Sequence, residues 1–250
     1  MRNRSVLLLF LFGLVSSQAA AVQCTAHSAT RRTHLVELYT SEGCSSCPPA
    51  DRWLRTIEAS DKVIPLEFHV DYWDSLGWPD PYADHRFSQR QRQLAARSAR
   101  PVSYTPEVAL DGHEWRAWPR SPIPTANEKA PVRLVLHVQD DSTLRASLQV
   151  IADTGFAGSA DRVYFALTED GLVSHVDAGE NRGAVLRHSH TVRAFAGPLT
   201  LRTAHADLTL PKDLQRSRSA VVAFVQDKTT GNIVQSVRQS LAACPGTDSP

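Results

Sequence analysis

The spacing of apolar residues changes along the chain and predicts two kinds of secondary structure. Residues 34–40 and 63–70 have the apolar or alternating patterns of β-strands, while residues 48–60 and 83–100 repeat apolar positions at helical spacing. After Pro131 the pattern becomes one of short strands separated by turn residues. The strands predicted there are 132–139, 143–151, 162–168, 184–195, 199–210, 220–226 and 233–239.

This change of pattern predicts an α/β N-terminal domain followed by an all-β, sandwich-like C-terminal domain. Four prolines between residues 119 and 131 indicate a linker that separates them. The predicted segments are a leader at 22–33, the α/β domain at 34–118 with a helical insert at 71–100, the linker at 119–131, the β-domain at 132–242 and a tail at 243–250.

The N-terminus has the pattern of a secretory signal peptide. Arg2 and Arg4 precede a short apolar run at 6–15, and the small residues at 19–21 suit a cleavage site. The apolar run is too short to cross a bilayer as a helix. We therefore expect a signal peptide at 1–21 and an exported product, periplasmic or secreted, that does not span the membrane.

The chemistry of the chain is expected at Cys44 and Cys47, which lie between the first strand and the first helix. Two cysteines at this spacing can close and reopen a small disulfide ring, which is the chemistry of thiol–disulfide exchange. Because a helix N-terminus favours a thiolate, we expect an exposed Cys44 to attack a partner sulfur. Cys47, one turn inside the helix, would resolve the mixed disulfide. A static disulfide is the alternative.

A metal site is a weaker alternative for the same cysteine pair, which could handle a metal ion together with His69 or His113. A zinc site needs about four ligands, and the sequence has no second Cys-x-x-Cys or Cys/His pair with zinc-finger spacing. His188 and His190 alternate onto one strand face, but no third ligand lies nearby in the sequence. We therefore assign no metal ligand.

In an exported protein the two remaining cysteines are also expected to be oxidised. Cys24 lies near the mature N-terminus and Cys244 near the C-terminus, so a disulfide between them would tie the ends of the chain together. Two separate thiols on frayed termini are the alternative. We assign the pair as a structural disulfide.

Glu37 is the candidate proton carrier of the redox pair, because it resembles the acid that thioredoxin-like proteins often place on the strand before their first active-site cysteine. It is the ionisable residue of the apolar run 35–39 and precedes Cys44 by seven positions. Burial without a cationic partner would favour its protonated form, so that it could accept a proton from Cys47 near neutral pH. A solvent-facing position on an edge strand is the alternative, and Glu42 is a competing acid on the loop.

Two further stretches are candidates for substrate binding. Residues 71–82 place four aromatic residues, Trp73 among them, in a turn-rich segment that either contacts a ligand or pins itself to its own domain. Thr105 and Pro106 lie at the entry to a hairpin whose turn signal is the Asp-Gly at 111–112.

The order strand, Cys-x-x-Cys, helix, strand and Thr-Pro before a hairpin resembles the thioredoxin fold. The resemblance implies that Cys44 and Cys47 are the redox pair, that Pro106 is a cis-proline, and that Thr105 before it flanks the disulfide and holds extended substrate. More closely, the chain is similar to an exported bacterial thioredoxin-like family catalogued as domain of unknown function 1223. The matching stretches are 37–51, 69–73, 104–106 and 179–181.

Composition narrows the range of functions. The formal net charge is +1, whereas a general nucleic-acid binder needs a basic excess. We assign the arginines of helix 83–100 to a solvated face, and attraction of an acidic partner is the alternative. We predict a thiol–disulfide oxidoreductase that acts on protein thiols or disulfides, with an unidentified redox partner and no cofactor. The alternative is an extracytoplasmic binding module with a static disulfide, in which loop 72–82 and the β-domain hold a ligand.

Overall fold

The structure, a computed structural model, describes residues 22–98, 101–140, 143–154 and 161–244. The predicted signal peptide at 1–21 and most of the predicted tail, from residue 245 on, lie outside the described residues. Within the described ranges, no helix is both long and apolar enough to cross a membrane.

Strands dominate the regular structure: the described residues are 43% strand and 14% helix. The strands are β1 (Val22–His27), β2 (His34–Thr40), β3 (Val63–His69), β4 (Glu107–Leu110), β5 (His113–Glu114), β6 (Val132–Asp140), β7 (Leu144–Ala152), β8 (Arg162–Glu169), β9 (Leu172–His175), β10 (Val185–His188), β11 (Thr191–Thr200), β12 (His205–Leu208), β13 (Ser219–Gln226) and β14 (Ile233–Ser240). The α-helices are α1 (Pro48–Leu54) and α2 (His85–Ala95), and short 3-10 helices lie at Asp71–Leu76, Leu201–Thr203 and Arg216–Arg218.

One mixed sheet of eight strands forms the centre of the molecule, in the order β14-β13-β8-β11-β3-β2-β4-β5. Strand β3 pairs in parallel with β2 on one side and with β11 on the other, where Thr191 lies opposite Glu67. Strands from both sides of the proline-rich segment therefore share a single sheet.

The predicted fold class, an α/β thioredoxin-like N-terminal domain followed by an all-β, sandwich-like domain, is wrong. The molecule is mostly β, and its large sheet is mixed. Strands β8 and β13 are buried along almost their whole length, as expected for central strands of a sheet that is covered on both faces. An apolar run indicates that a strand is buried but does not identify its neighbours, which is why the sequence pattern divided one sheet into two units.

A second, antiparallel sheet has the order β1-β6-β7-β12 and packs against the central sheet. Leu134 and Leu136 on β6 share an apolar cluster with Phe165 on β8. Strand β1 lies in the segment predicted to be a leader with little pattern, and it pairs with β6. Cys24 on β1 and Cys244 after β14 form a disulfide, the pairing expected from the sequence, and both belong to the same cluster.

The two helices lie on opposite faces of the central sheet. Helix α1 packs on Val36 and Leu38, whereas Leu35 and Tyr39, which alternate with them on β2, belong to the cluster that includes Phe87 of α2. The predicted strand 184–195 is divided into β10 and β11, and β10 forms a separate two-stranded hairpin with β9. Strand alternation thus assigns the side chains of β2 to two different environments.

Candidate functional site

Cys44 and Cys47 form a disulfide at the start of α1. The two residues are only 1% and 0% exposed, whereas Ser45 and Ser46 between them are exposed. The Ser46 hydroxyl oxygen lies 3.3 Å from the Cys44 sulfur. The prediction that Cys44 is exposed is therefore wrong for this closed disulfide, whose solvent-facing edge is formed by the serines.

The start of α1 offers fewer N–H donors than the sequence suggests. Pro48 and Pro49 occupy its first positions and have no N–H, and the next N–H, of Ala50, donates to the carbonyl of the N-cap residue. The hydroxyl of Ser46 is the donor that contacts the Cys44 sulfur. The Ser46 hydroxyl is therefore placed to donate a hydrogen bond to a thiolate at Cys44.

The segment that connects β9 to β10, residues 176–184, covers the disulfide, and we call it the cover loop. Asn181 donates its amide hydrogens to the carbonyl oxygens of Glu42 and Cys44, at 2.8 and 2.9 Å. Glu180 accepts a hydrogen bond of 3.0 Å from a backbone N–H between the two cysteines. The cover loop therefore lies against the backbone on both sides of Cys44.

Trp73 and Thr105, both predicted to bind substrate, contact each other directly. The indole N–H of Trp73 donates to the Thr105 hydroxyl at 2.8 Å. Trp73 also packs on Gly43, where an added Cβ would lie 3.2 Å from the Trp73 Cβ. The peptide bond between Thr105 and Pro106 is cis, and all three predicted residues are half-buried. Trp73 thus lies against the residue next to Cys44, with Thr105 attached to it.

Glu37 is buried, but its environment differs from the prediction. Arg90 of α2 donates to both carboxylate oxygens, at 2.5 and 2.9 Å, and the Tyr39 hydroxyl donates at 2.8 Å. The guanidinium group lies 4.8 Å from the ring centre of Tyr164 and 4.9 Å from that of Phe224. The expectation that Glu37 lacks a cationic partner is therefore wrong, because one arginine of the predicted solvated face points inward. The redox pair lies at the start of α1, and Glu37 lies on the face of the central sheet opposite α1.

Asp51, which the sequence analysis does not single out, is a buried acid one helical turn after Cys47. It accepts a hydrogen bond of 2.7 Å from the Thr40 hydroxyl. Burial, reinforced by the charge of Glu67, raises the pKa of Asp51 to about 7. A carboxyl group with a pKa near neutrality can act as a proton donor or acceptor at neutral pH. The Cys-x-x-x-Asp spacing, which places both residues on one side of a helix, is the signal that could have identified it.

A group of five buried ionisable residues lies next to the redox pair, and we call it the polar cluster: Glu42, Glu67, His69, Asp80 and His188. His69 Nδ1 lies 2.7 Å from Asp80 Oδ2. His188 lies 3.2 Å from Glu67 through Nδ1 and 3.2 Å from Glu42 through Nε2. The Glu-x-His alternation in β3 places two members on one face, but nothing in the sequence indicates that the others join them.

Aromatic residues of segment 71–82 form a wall of the polar cluster. The indole N–H of Trp78 donates to Glu42 at 2.8 Å, and the Tyr82 ring lies 5.3 and 5.8 Å from the rings of His69 and His188. These contacts pin the segment to its own sheet, which is one of the two interpretations that the sequence leaves open. His113, the other histidine considered for a metal site, is exposed on the edge strand β5 and contacts Asn232.

The carboxylates of the polar cluster favour the charged forms of both histidines. Burial alone would lower the pKa of His188, but the charge of Glu67 and the hydrogen bond to Glu42 outweigh it and raise the pKa to about 9. Burial alone would also lower the pKa of His69, but Asp80 and Glu67 outweigh this effect. The pKa of His69 therefore lies well above its usual value. The two histidines hold the pKa of Glu67 below its usual value, although burial alone would raise it.

Comparisons with known proteins identify a family and two similar structures. A family model described as "Protein of unknown function (DUF1223)" matches residues 35–226. Protein AGR_C_4864 from Agrobacterium tumefaciens is 22% identical with a TM-score of 0.54, over 89% of this chain and 98% of that one. HBP35 of Porphyromonas gingivalis is 14% identical with a TM-score of 0.61, over 89% of this chain and 79% of that one. Comparison with curated proteins gave no significant match. At these identities, the two structures show a shared fold and nothing about shared chemistry.

Proposed function

The chain belongs to the DUF1223 family of proteins of unknown function, and from its site we propose that it catalyses thiol–disulfide exchange outside the cytosol. The observation that carries the proposal is the disulfide between Cys44 and Cys47, with Asp51 buried one helical turn later. The substrates would be protein thiols or disulfides. Export is supported by the pattern of residues 1–21 and by the presence of two disulfides, which persist outside the cytosol.

In the oxidising direction, a substrate thiolate attacks the Cys44 sulfur. A substrate–Cys44 disulfide forms as the Cys44–Cys47 bond breaks, and Cys47 leaves as a thiolate that takes a proton from Asp51. A second substrate thiolate then attacks the substrate sulfur of the mixed disulfide, and Cys44 leaves as a thiolate beside the Ser46 hydroxyl. Two electrons pass from the substrate to the redox pair, and the reverse sequence reduces a substrate disulfide.

Binding of a substrate requires displacement of the cover loop. An extended peptide could take over the backbone groups that Asn181 and Glu180 occupy on either side of Cys44. Trp73 and Thr105 border this position and are half-buried, so they offer an aromatic face and a hydroxyl to the peptide. Their placement supports the substrate-binding role expected from the sequence.

A static disulfide in a binding module is the second candidate, and the burial of both cysteines favours it. The bond would then fix the segment before α1, and no exchange would occur. The reduction potential separates the two functions, because catalytic pairs lie at about −120 to −270 mV and structural disulfides below about −300 mV.

The test measures the reduction potential of the Cys44–Cys47 pair and the exchange rate with a peptide dithiol. We expect a potential in the catalytic range, and a Cys47→Ser variant should trap a mixed disulfide through Cys44. The matched control is the double variant Cys24→Ser with Cys244→Ser. Those of its molecules that fold should retain the exchange activity of the native protein. A potential below about −300 mV together with no trapped mixed disulfide would establish the static disulfide instead.

A further inference from the structure

Three members of the polar cluster converge on one point: Glu67 and His69 on β3, and His188 at the end of β10. One potential ligand atom from each residue lies within 4.8 Å of the others. The three residues are 0%, 0% and 1% exposed. Two imidazoles and one carboxylate are a ligand set that proteins use for first-row transition metals.

The separations between these groups fit ligands of a common ion. His69 Nε2 is buried and has no hydrogen-bond partner among the described residues. It lies 3.5 Å from Glu67 Oε2, and His188 Nδ1 lies 3.2 Å from Glu67 Oε1. Two ligands that bind one tetrahedral zinc ion at about 2.0–2.1 Å are about 3.4 Å apart. The two separations involve different oxygens of Glu67, so an ion bound by both carboxylate oxygens and by the two imidazoles would fit both. Binding of the ion would replace the ion pairs of the histidines with Glu67 and release the proton that each of these ring nitrogens carries in its charged form.

Each of the three residues is also oriented by a further polar group. His69 Nδ1 lies 2.7 Å from Asp80, and His188 Nε2 lies 3.2 Å from Glu42, so the nitrogen of each ring that points away from the shared centre contacts a carboxylate. The Thr191 hydroxyl donates to Glu67 at 2.7 Å. Metal-binding histidines are held in this way by a second carboxylate, which fixes the tautomer and the ring orientation.

His34 shows that an unpartnered nitrogen alone is insufficient. It is buried on β2, its Nδ1 lies 2.6 Å from Asp111, and its Nε2 also has no hydrogen-bond partner among the described residues. The difference is that a second imidazole and a carboxylate face the free nitrogen of His69, whereas His34 belongs to no such group in the described part of the chain.

We propose that Glu67, His69 and His188 bind a divalent first-row transition-metal ion, with Zn²⁺ as the best match to the ligand set. The site uses neither Cys44 nor Cys47 as a ligand. Because His188 ends β10 and Glu67 lies on β3, the ion would fasten the β9–β10 hairpin, and with it the cover loop, to the central sheet.

The test uses the full-length oxidised protein, in which the cysteines are disulfide-bonded and cannot act as ligands. After treatment with a chelator, the protein is titrated with Co²⁺ and with Zn²⁺. We expect about one equivalent of each ion, a visible Co²⁺ absorption typical of nitrogen and oxygen ligands, and slower hydrogen exchange in β9 and β10 with Zn²⁺ bound.

Variants locate the site. Glu67→Gln and His188→Gln should lose stoichiometric binding, and Asp80→Asn should weaken it by about 10- to 100-fold, as expected for a residue that orients a ligand. His34→Gln is the matched control and should bind like the native protein. If a ligand variant does not fold, an increase in the melting temperature of the chelator-treated native protein on addition of Zn²⁺, together with the Co²⁺ spectrum, still supports the site.

Three outcomes would overturn the proposal. The oxidised native protein could bind neither ion, or folded Glu67→Gln and His188→Gln could bind both ions as tightly as the native protein does. Binding that occurs only after reduction would assign the ion to the cysteines instead. None of these outcomes bears on whether the cysteine pair exchanges disulfides.

Discussion

The two disulfides of this molecule are both buried, yet their surroundings differ. Cys24 and Cys244 are 220 positions apart and lie among apolar residues between the two sheets. Cys44 and Cys47 are three positions apart, with exposed serines between them and buried Asp51 one helical turn beyond. The two disulfides therefore differ in the polar groups around them and not in their burial. Nearby groups that can donate or accept a proton are the better guide.

Stability should separate the two disulfides most strongly. Replacing Cys24 and Cys244 by alanine should lower the free energy of unfolding by about 5 kcal/mol, because the lost bond restricts the unfolded chain over a very long loop. The same change at Cys44 and Cys47 should lower it by about 2 kcal/mol, since the closed loop is short. Denaturant unfolding of the two variants at pH 7 measures both values. Equal losses would remove this distinction.

The pH dependence of stability should report on Asp51. Because burial raises the pKa of Asp51 to about 7, its stabilising effect is present below pH ~4 and is lost as the pH rises through about 7. In the Asp51→Asn variant, the side chain at position 51 cannot ionise. The free energy of unfolding of the variant minus that of the native protein should therefore increase by on the order of 4 kcal/mol between about pH 4 and pH 8.

Asp61→Asn, at an exposed aspartate, is the matched control for this measurement. Its difference from the native protein should be nearly the same at both pH values. If Asp51→Asn behaved in the same way, Asp51 would not be the group that titrates near Cys47, and the proton in the exchange reaction would need another carrier.

The cover loop should control access to one disulfide only. Asn181→Ala removes two hydrogen bonds to the segment around Cys44, each worth about 1 kcal/mol. Reduction of Cys44–Cys47 by a small thiol should therefore become about 10- to 30-fold faster, while the rate for Cys24–Cys244 should not change. Mass spectrometry after timed quenching measures both rates. Asn232→Ala is the control on an exposed loop, and an equal acceleration in that variant would contradict a covering role.

The smallest effect is expected at Ser46, whose hydroxyl contacts the Cys44 sulfur. Ser46→Ala removes a hydrogen bond to the Cys44 thiolate, so alkylation of the reduced protein at pH 6–7 should slow by about two- to fivefold. Ser45→Ala, at the exposed neighbouring residue, should leave the rate unchanged. Equal rates in all three proteins would show that the hydroxyl does not stabilise the thiolate.

Local patterns in the sequence predict many elements of this fold but not their arrangement. The apolar runs locate strands such as β2, β3, β8 and β13, because the buried positions of a strand are apolar in a regular pattern. The same runs do not identify strand partners. Ala220 to Val225 form an uninterrupted apolar run in β13, which favours a central strand of a large covered sheet over a sandwich strand and could have corrected the fold class.

The sequence identifies the two cysteines of the candidate site and few of its other residues. Cys44 and Cys47 are only three positions apart in the sequence, and their spacing is specific. The polar cluster joins residues 42 and 188, whose proximity depends on the pairing of β3 with β11 and on the position of the hairpin. The sequence predicts a solvent-facing Arg90 because arginines are usually exposed, but the buried carboxylate of Glu37 overrides this tendency.

The parallel contact between β3 and β11 has a consequence for how the chain reaches its native state. It joins residues 67 and 191, so more than 120 residues must be available before this pair of strands can form. Contacts of such high sequence separation slow folding, and until they form β3 presents an unpaired edge to other molecules. A fragment that ends in the proline-rich segment should therefore aggregate through this edge rather than fold independently.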